Sequence, residues 1–298
     1  MSWRTIVISN PAKLSLKNDQ IVIKQEIDHT LPIEDISVLI VEDLQTTITS
    51  QLLRKLSETG VVMYQCDETH FPCGIMLPFN THSRQAKVVQ MQVNQSEPFK
   101  KRIWQKIIKR KIINQALCLQ INESEHWMDI HNYNELVLSG DSKNIEAFSA
   151  KRYFSYLFGE FNRKEENIIN ASLNYGYAIL RAAIARSIVS YGFVPSFGVH
   201  HRSELNSFNL ADDFIEPFRP IVDLWTSQRI KKDDVFSKDH RMELVKILNV
   251  NMKMNDQVFN VLSCIDMVIK SYATAVRYKE YEVLKLPYLV DLEQHDYE

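Results

Sequence analysis

The first 65 residues alternate short apolar runs with turn residues. Trp3–Ser9, Lys13–Leu16, Gln20–Gln25 and Ile36–Val41 are rich in β-branched and aliphatic side chains, and Asn10-Pro11, Asn18-Asp19 and Pro32 punctuate them. Short strands at intervals of roughly 8 to 12 residues predict a small antiparallel sheet or sandwich. Thr49–Glu58 changes period: Leu52, Leu53 and Leu56 share one helical face, with a Ser/Thr cap ahead and Gly60 just beyond. Val61–Gln65 returns to strand character, so residues 1–70 are expected to form a β domain with one covering helix. Asp67–Phe79 gathers Pro72, Gly74 and Pro78, which predicts a linker over residues 71–80. After it the apolar period becomes helical: Arg84–Asn94, Pro98–Gln120, Ile145–Phe158, Ile168–Tyr191, Asp213–Trp225, His240–Asn249 and Asp256–Lys279. The expected fold class is α+β: a small amino-terminal β-sandwich-like domain, a linker and a larger all-α domain over residues 81–298.

Composition narrows the function classes. Glycine occurs 7 times in 298 residues, where average usage would give roughly 20. With no GxGxxG and no GKS or GKT, a Rossmann or P-loop enzyme is disfavoured. Uncharged apolar stretches stay below the roughly 18 residues that a membrane helix needs. The start, MSWRTIVISNP, lacks the apolar core of a secretory signal, so a cytoplasmic location is expected. Cys66, Cys73, Cys118 and Cys264 form no CxxC pair, which argues against structural zinc. The net charge of −2 requires that any nucleic acid be met by local basic patches.

One such patch is evident. Lys100, Lys101, Arg102, Lys106, Lys109, Arg110 and Lys111 place seven basic residues in twelve positions around a stripe of Ile103, Ile107 and, one turn on, Lys111. That pattern suits phosphate contact; it equally suits a solvated helix face or a helix lying on a membrane. Glu146 sits early in a helix, where the dipole favours any carboxylate whether or not it is functional. His200 and His201 follow Gly198, and Asp212, Asp213 and Glu216 come after them. Asp213 and Glu216 are three apart and share a face if helical; with an imidazole they make a set of donors for magnesium or manganese. The plainer readings are a polar loop for the histidines and an acidic first turn for Asp212 and Asp213. Pro217 restricts Glu216 and kinks any helix there.

Asn170-Ala171-Ser172-Leu173-Asn174-Tyr175-Gly176, Pro195-Ser196-Phe197-Gly198-Val199-His200-His201 and Asn209-Leu210-Ala211-Asp212-Asp213-Phe214-Ile215-Glu216-Pro217-Phe218-Arg219-Pro220 resemble, in order and spacing, the linked motifs of the CRISPR-associated spacer-acquisition integrases. Glu146 to Phe154 is similar to that family's glutamate-bearing helix, and the layout of domains matches over nearly the full length.

The resemblance implies a catalytic and metal-binding triad of Glu146, His201 and Glu216, holding Mg2+ or Mn2+. His201 is chosen because the family's ligand lies three residues after the glycine, with His200 as the alternative. Glu216 stands where the family often has aspartate, as in the type II variant. Asp213 corresponds to a second acidic position near the metal, and Arg219 to a residue that orders a carboxylate or a phosphate. Asn174 and Tyr175 are expected to pack or support rather than catalyse. Arg84 and the basic helix (Lys100, Lys101, Arg102, Lys106, Lys109, Arg110) are expected to contact DNA. The implied activity is insertion of a short prespacer at the leader-repeat boundary, by 3′-hydroxyl attack on a phosphodiester, with hydrolysis as a side activity. The alternative is a DNA-binding scaffold of the same fold without chemistry. The implied partners are double-stranded DNA and a second copy of the chain, joined by a small companion adaptation protein in a heterohexamer, with the RNA-guided effector nuclease and an accessory adaptation protein assisting. No membrane partner is implied.

Overall fold

A computed structural model describes residues 4–78, 82–231 and 233–295. Trp3, at the edge of the first expected strand, and residues 79–81, at the junction of the expected linker and helical domain, lie outside them. The chain divides into two compact units, Met1–Gln85 with Val189–Gly192, and Ala86–Ile188 with Phe193–Glu298.

The first unit runs β1 (Arg4–Ile8), β2 (Lys13–Lys17), β3 (Gln20–Lys24), β4 (His29–Pro32), β5 (Ile36–Val41), β6 (Thr47–Ile48), α1 (Ser50–Glu58), β7 (Val62–Cys66) and β8 (Pro72–Met76). Two four-stranded sheets form, ordered β1-β5-β7-β8 and β4-β3-β2-β6. Every residue of β5 is buried, as a strand covered on both faces requires, and its sequence ISVLIV is accordingly an unbroken apolar run. Leu14, Ile21, Ile36, Leu39, Leu52 and Leu56 meet in one core. Thr49 caps α1 by accepting from the Leu52 amide at 3.4 Å.

Two expectations need amendment here. The first sheet is mostly parallel, β1 with β5 and β5 with β7. Those connections carry intervening chain, a sheet and a helix respectively, where an antiparallel pair needs only a hairpin. Residues 72–76, expected as linker, form β8, antiparallel to β7. Gly74 lets the strands close: a Cβ there would lie 3.1 Å from Gln65 Oε1.

Beyond it come α2 (Gln85–Val93), α3 (Glu97–Ile121), α4 (Trp127–Leu136), α5 (Ile145–Phe158), α6 (Ile168–Ser190), α7 (Asn209–Ile215), α8 (Arg219–Arg229), α9 (Lys238–Lys246), β9 (Val250–Met254), β10 (Gln257–Asn260), α10 (Val261–Tyr278) and β11 (Tyr288–Gln294). Helices dominate, yet this unit is not all α: β10, β9 and β11 form an antiparallel sheet. The helix expected over Asp256–Lys279 starts instead as a turn, with Asn255 and Asp256 at φ 51° and 62°, followed by β10. Asn260 then caps α10, accepting from the Ser263 amide at 2.7 Å.

Helix α3 organises the unit. Ser96 caps it and Pro98 stands in its first turn. Phe99, Ile103, Trp104, Ile107, Ile108 and Ile112 are all buried, an apolar arc wider than a surface stripe, and α4, α5, α8 and β11 pack around it. Helix α6 meets α8 closely at Gly176, where a Cβ would fall 2.5 Å from Val222 Cγ1. The single helix expected over Asp213–Trp225 is two, α7 and α8, broken at Glu216-Pro217-Phe218. Among the described residues no helix is long and apolar enough to cross a membrane.

Candidate active site

Four elements deliver charged groups to one place. Asp141 accepts from the amides of Ile145 and Glu146, both at 2.9 Å, and so anchors the first turn of α5 and sets the Glu146 side chain. Glu216 occupies the break between α7 and α8, where its own carboxylate is buried. Asn114 of α3 fixes that break by donating to the carbonyl of Pro217 at 2.7 Å. Lys111, one turn before Asn114 on α3, inserts its ammonium between the two carboxylates, 2.7 Å from Glu146 Oε1 and 2.5 Å from Glu216 Oε2. Arg219 Nε donates to the other oxygen of Glu216 at 3.0 Å.

The energetics of this cluster follow from burial. Desolvation opposes every charge in it, but paired charges outweigh desolvation. Burial pulls the Lys111 pKa down, while Glu216 and Glu146 pull harder and leave it above the ordinary lysine value. Burial raises the Glu216 carboxyl; Arg219 and Lys111 reverse this and hold it below the usual range.

The histidines lie on a stiff loop after α6. Asp213 of α7, fully buried, accepts the amides of Val199, His200 and His201 and also the His201 ring at Nδ1, 2.8 Å away. Its carboxylate is thus saturated behind the imidazole, one residue removed from the expected ligand position at His201. The loop passes so close that a Cβ on Gly198 would sit 2.3 Å from the His201 carbonyl and 2.8 Å from Asp213 Oδ2. Asn209 holds the same loop by donating to the carbonyls of Ser196, Ser203 and Asn206. His200 stacks on Trp104 with centroids 4.1 Å apart, and His201 meets the same indole edge-on at 5.6 Å. The hydrogen bond that His201 donates to Asp213 raises the His201 pKa against burial, whereas burial lowers that of His200. With Nδ1 engaged, His201 keeps Nε2 for another partner, the arrangement in which a carboxylate orients a metal-binding imidazole. A cleft of about 530 Å³ opens beside His201, lined also by Lys100, Arg202 and Gly198.

Behind Arg219 lies a buried chain of polar groups. The guanidinium stands over the Tyr177 ring, 4.6 Å from its centroid, and Tyr177 and Tyr153 both donate their hydroxyls to Asp223. Burial drives the Asp223 carboxyl up to about 6, against the opposing pull of the two tyrosines.

The remaining sequence candidates fall into two groups. Asn174 accepts from Arg163, and Tyr175 is fully buried against Phe236, so both support helix α6. Of the basic run, Lys106 gives its ammonium to the carbonyls of Tyr281, Glu282 and Leu284 at 3.3, 2.7 and 2.8 Å. Arg110 is half-buried with its guanidinium 3.2 Å from the Tyr288 ring centroid. Both are tied to the carboxy-terminal segment rather than left free on the helix surface, and Lys111 points into the carboxylate cluster. Lys101 and Arg102 are exposed, and Lys100 and Lys109 partly so. Arg84 is exposed at the start of α2 and belongs to the first unit. Sequence reasoning missed Lys111, Asp141, Trp104 and Arg202 as members of this site. For Lys111 a signal existed: it continues the apolar stripe of Ile103 and Ile107, where a solvated lysine has no place.

Among the described residues no three His, Cys, Asp or Glu side chains stand as a ready-made metal cage. The donor chemistry nevertheless fits a hard divalent cation: two carboxylates, one from α5 and one from the α7–α8 break, already converge on one cationic group, and an oriented imidazole lies within electrostatic reach of Glu216.

Residues 5–256 match the model of the family described as CRISPR associated protein Cas1. A CRISPR-associated endonuclease Cas1 from Neisseria meningitidis serogroup C is 42% identical over 308 residues, covering all of both chains. Among solved structures, a casposase bound to an integration product superposes with a TM-score of 0.72 at 18% identity, covering 93% of this chain and 91% of that one. A Cas1 protein from Thermotoga maritima gives 0.72 at 17% identity over 92% and 97%. A Cas6-RT-Cas1–Cas2 complex gives 0.74 at 17% over 96% of this chain and 36% of that longer one.

Proposed function

Because this chain belongs to the Cas1 family of CRISPR-associated proteins, we propose that it is a divalent-metal-dependent DNA integrase and endonuclease of CRISPR adaptation. The observation that carries the reading is the convergence of Glu146 and Glu216 on a single buried cation, with the Asp213-oriented ring of His201 close by.

Glu146, His201 and Glu216 would hold Mg2+ or Mn2+, which when bound lowers the pKa of an attacking 3′-hydroxyl and offsets charge on the phosphate. The chain's own residues supply the rest. Asp213 holds His201 with Nδ1 engaged and Nε2 free. Arg219 keeps the Glu216 carboxylate ionised and aimed. Lys100 and Arg202, on the cleft rim beside His201 and both paired with Glu97, would exchange that partner for a phosphodiester drawn toward the site. Direct transesterification requires no covalent intermediate on the protein; Cys118 and Cys264 are buried, with thiol pKa values pushed up by desolvation, and are poor nucleophiles.

Insertion of both prespacer ends requires two such sites at a fixed distance, so the working form is a homodimer built into a larger assembly. The partner we propose is a small companion adaptation protein, as in the Cas1–Cas2 complexes to which this fold is similar, forming a heterohexamer on double-stranded DNA in the cytoplasm. In a type II system the effector nuclease and an accessory protein would select the prespacer.

The test is strand transfer of a short duplex with 3′-hydroxyl ends into a supercoiled leader-repeat plasmid, with the companion protein, with and without divalent cation. Wild type with metal is expected to give products, and Glu146→Ala, His201→Ala and Glu216→Ala to lose at least about 100-fold while still binding DNA. Binding without metal-dependent products in wild type would leave only the scaffold reading.

A further inference from the structure

The gap between the two carboxylates is filled by a side chain of the protein itself. Lys111 is 7% exposed, sits on the central helix α3 and pairs its ammonium with the two carboxylates that the site requires, Glu146 and Glu216. The formal charges at this centre are two carboxylates against Lys111 and Arg219, with a sum of zero. A neutral buried cluster of this kind is self-sufficient, since each ion has its counter-ion within hydrogen-bond distance.

A divalent cation entering the same gap upsets that balance. It adds two positive charges to a centre that already holds two cationic side chains, and in a poorly solvated interior the mutual repulsion is large compared with its value in water. Arg219 is held from a second side, with its guanidinium over the Tyr177 ring and its Nε bonded to the far oxygen of Glu216. Lys111 is different. It reaches the carboxylates on a flexible four-carbon stem, and its ammonium is free to swing once a better counter-ion takes its place. A phosphodiester brings negative charge with it, restoring neutrality and offering the displaced ammonium a new acceptor.

Resting on the metal-dependent reading above, we propose that Lys111 is a built-in counter-cation that competes with the divalent ion for Glu146 and Glu216, so that metal loading is coupled to the arrival of DNA phosphate. Without DNA the lysine holds the site closed and folded. With DNA the lysine moves to a phosphate oxygen and the carboxylates accept the metal. By linkage the coupling is reciprocal, so the metal tightens DNA binding by the same factor as DNA tightens metal binding.

The experiment is a Mn2+ titration of the full-length protein, followed by electron paramagnetic resonance and calorimetry, with and without a short DNA duplex. Wild type, Lys111→Gln, Lys111→Met and Glu216→Gln are compared, with thermal melting in the same buffers. Wild type is expected to bind Mn2+ about tenfold or more tightly with DNA than without. In the lysine variants the DNA-free affinity rises by about tenfold or more and the DNA effect shrinks, because the competitor is gone. Their melting temperature is expected to fall below that of wild type without metal, since Glu146 loses its counter-ion and Glu216 keeps only Arg219. It should rise more steeply with Mn2+ than that of wild type. Should a lysine variant not fold without metal, recovery of its cooperative melt on adding Mn2+ reads the same competition, and no recovery overturns it. Equal or weaker DNA-free Mn2+ affinity in folded lysine variants also overturns the inference. It leaves the metal reading standing if Glu216→Gln abolishes the Mn2+ that wild type binds with DNA. Wild type that binds no Mn2+ even with DNA removes both.

Discussion

At the scale of single residues the site depends on a few carboxylates with unlike duties. Glu146 and Glu216 face a cation, Asp141 caps the helix that carries Glu146, and Asp213 gathers three amides and one imidazole behind the loop. Asp213→Asn replaces an acceptor of four hydrogen bonds with a group that must present two of its own donors to donors. We expect it to destabilise the protein by about 1–3 kcal/mol, the cost of buried polar groups left unpaired. Strand transfer should fall about 10- to 100-fold as His201 loses its orientation, the range for groups that orient a metal-binding residue. Melting temperature and initial rates on the plasmid substrate check the two effects separately. Asp212, its neighbour, accepts from Asn206 at 2.7 Å and lies 3.8 Å from Arg181, so the duties of these adjacent acids differ even though their sequence context is almost the same.

At the scale of elements, α3 shows how a basic run misleads. Its lysines and arginines do not form one face. Lys106 and Arg110 bind the carboxy-terminal segment, Lys111 enters the site, and Lys101, Arg102 and Lys109 remain accessible in whole or part. Lys106→Ala is therefore expected to lower stability by about 1–3 kcal/mol, leaving three carbonyls without their donor, with no change in the salt dependence of DNA binding. Alanine at Lys101, Arg102 or Lys109 should leave stability within about 0.5 kcal/mol of wild type. Each should reduce the slope of log affinity against log salt by about one. Binding isotherms at several salt concentrations, alongside melts of the same variants, separate the two groups. The break between α7 and α8 is the second element-scale device: Pro217 stops the helix, Asn114 takes up the carbonyl that the break exposes, and Glu216 is turned toward α3 and α5.

At the scale of the whole molecule, stability carries a signature of the buried network behind the site. Asp223 has its carboxyl raised to about 6 when folded, against about 3.9 in an unfolded chain. Between those values the folded protein binds more protons, so this group's contribution to stability falls as pH rises from about 4 to about 6 and is flat above. Asp223→Asn should remove that trend, and chemical denaturation of both proteins across pH 4 to 7 should show a difference changing by on the order of 2 kcal/mol within the window. Much of the plan was legible in the chain. Short apolar runs between turn residues and the leucine face of Thr49–Glu58 marked the β-rich unit. Long 3.6-residue periods marked the helical one, because local backbone preference is written in neighbouring residues, whereas Glu146, His201 and Glu216 were singled out only by the resemblance of their motifs to a known family. Tertiary structure alone decided three things: the parallel pairing of β1, β5 and β7, the strand at residues 72–76, and the fate of each cation on α3. Strand partners and charge partners are chosen between segments far apart in sequence, by burial and by the need to match every desolvated charge. Lys111 lies in α3 and Glu216 in the break between α7 and α8, and they meet only once the fold has closed.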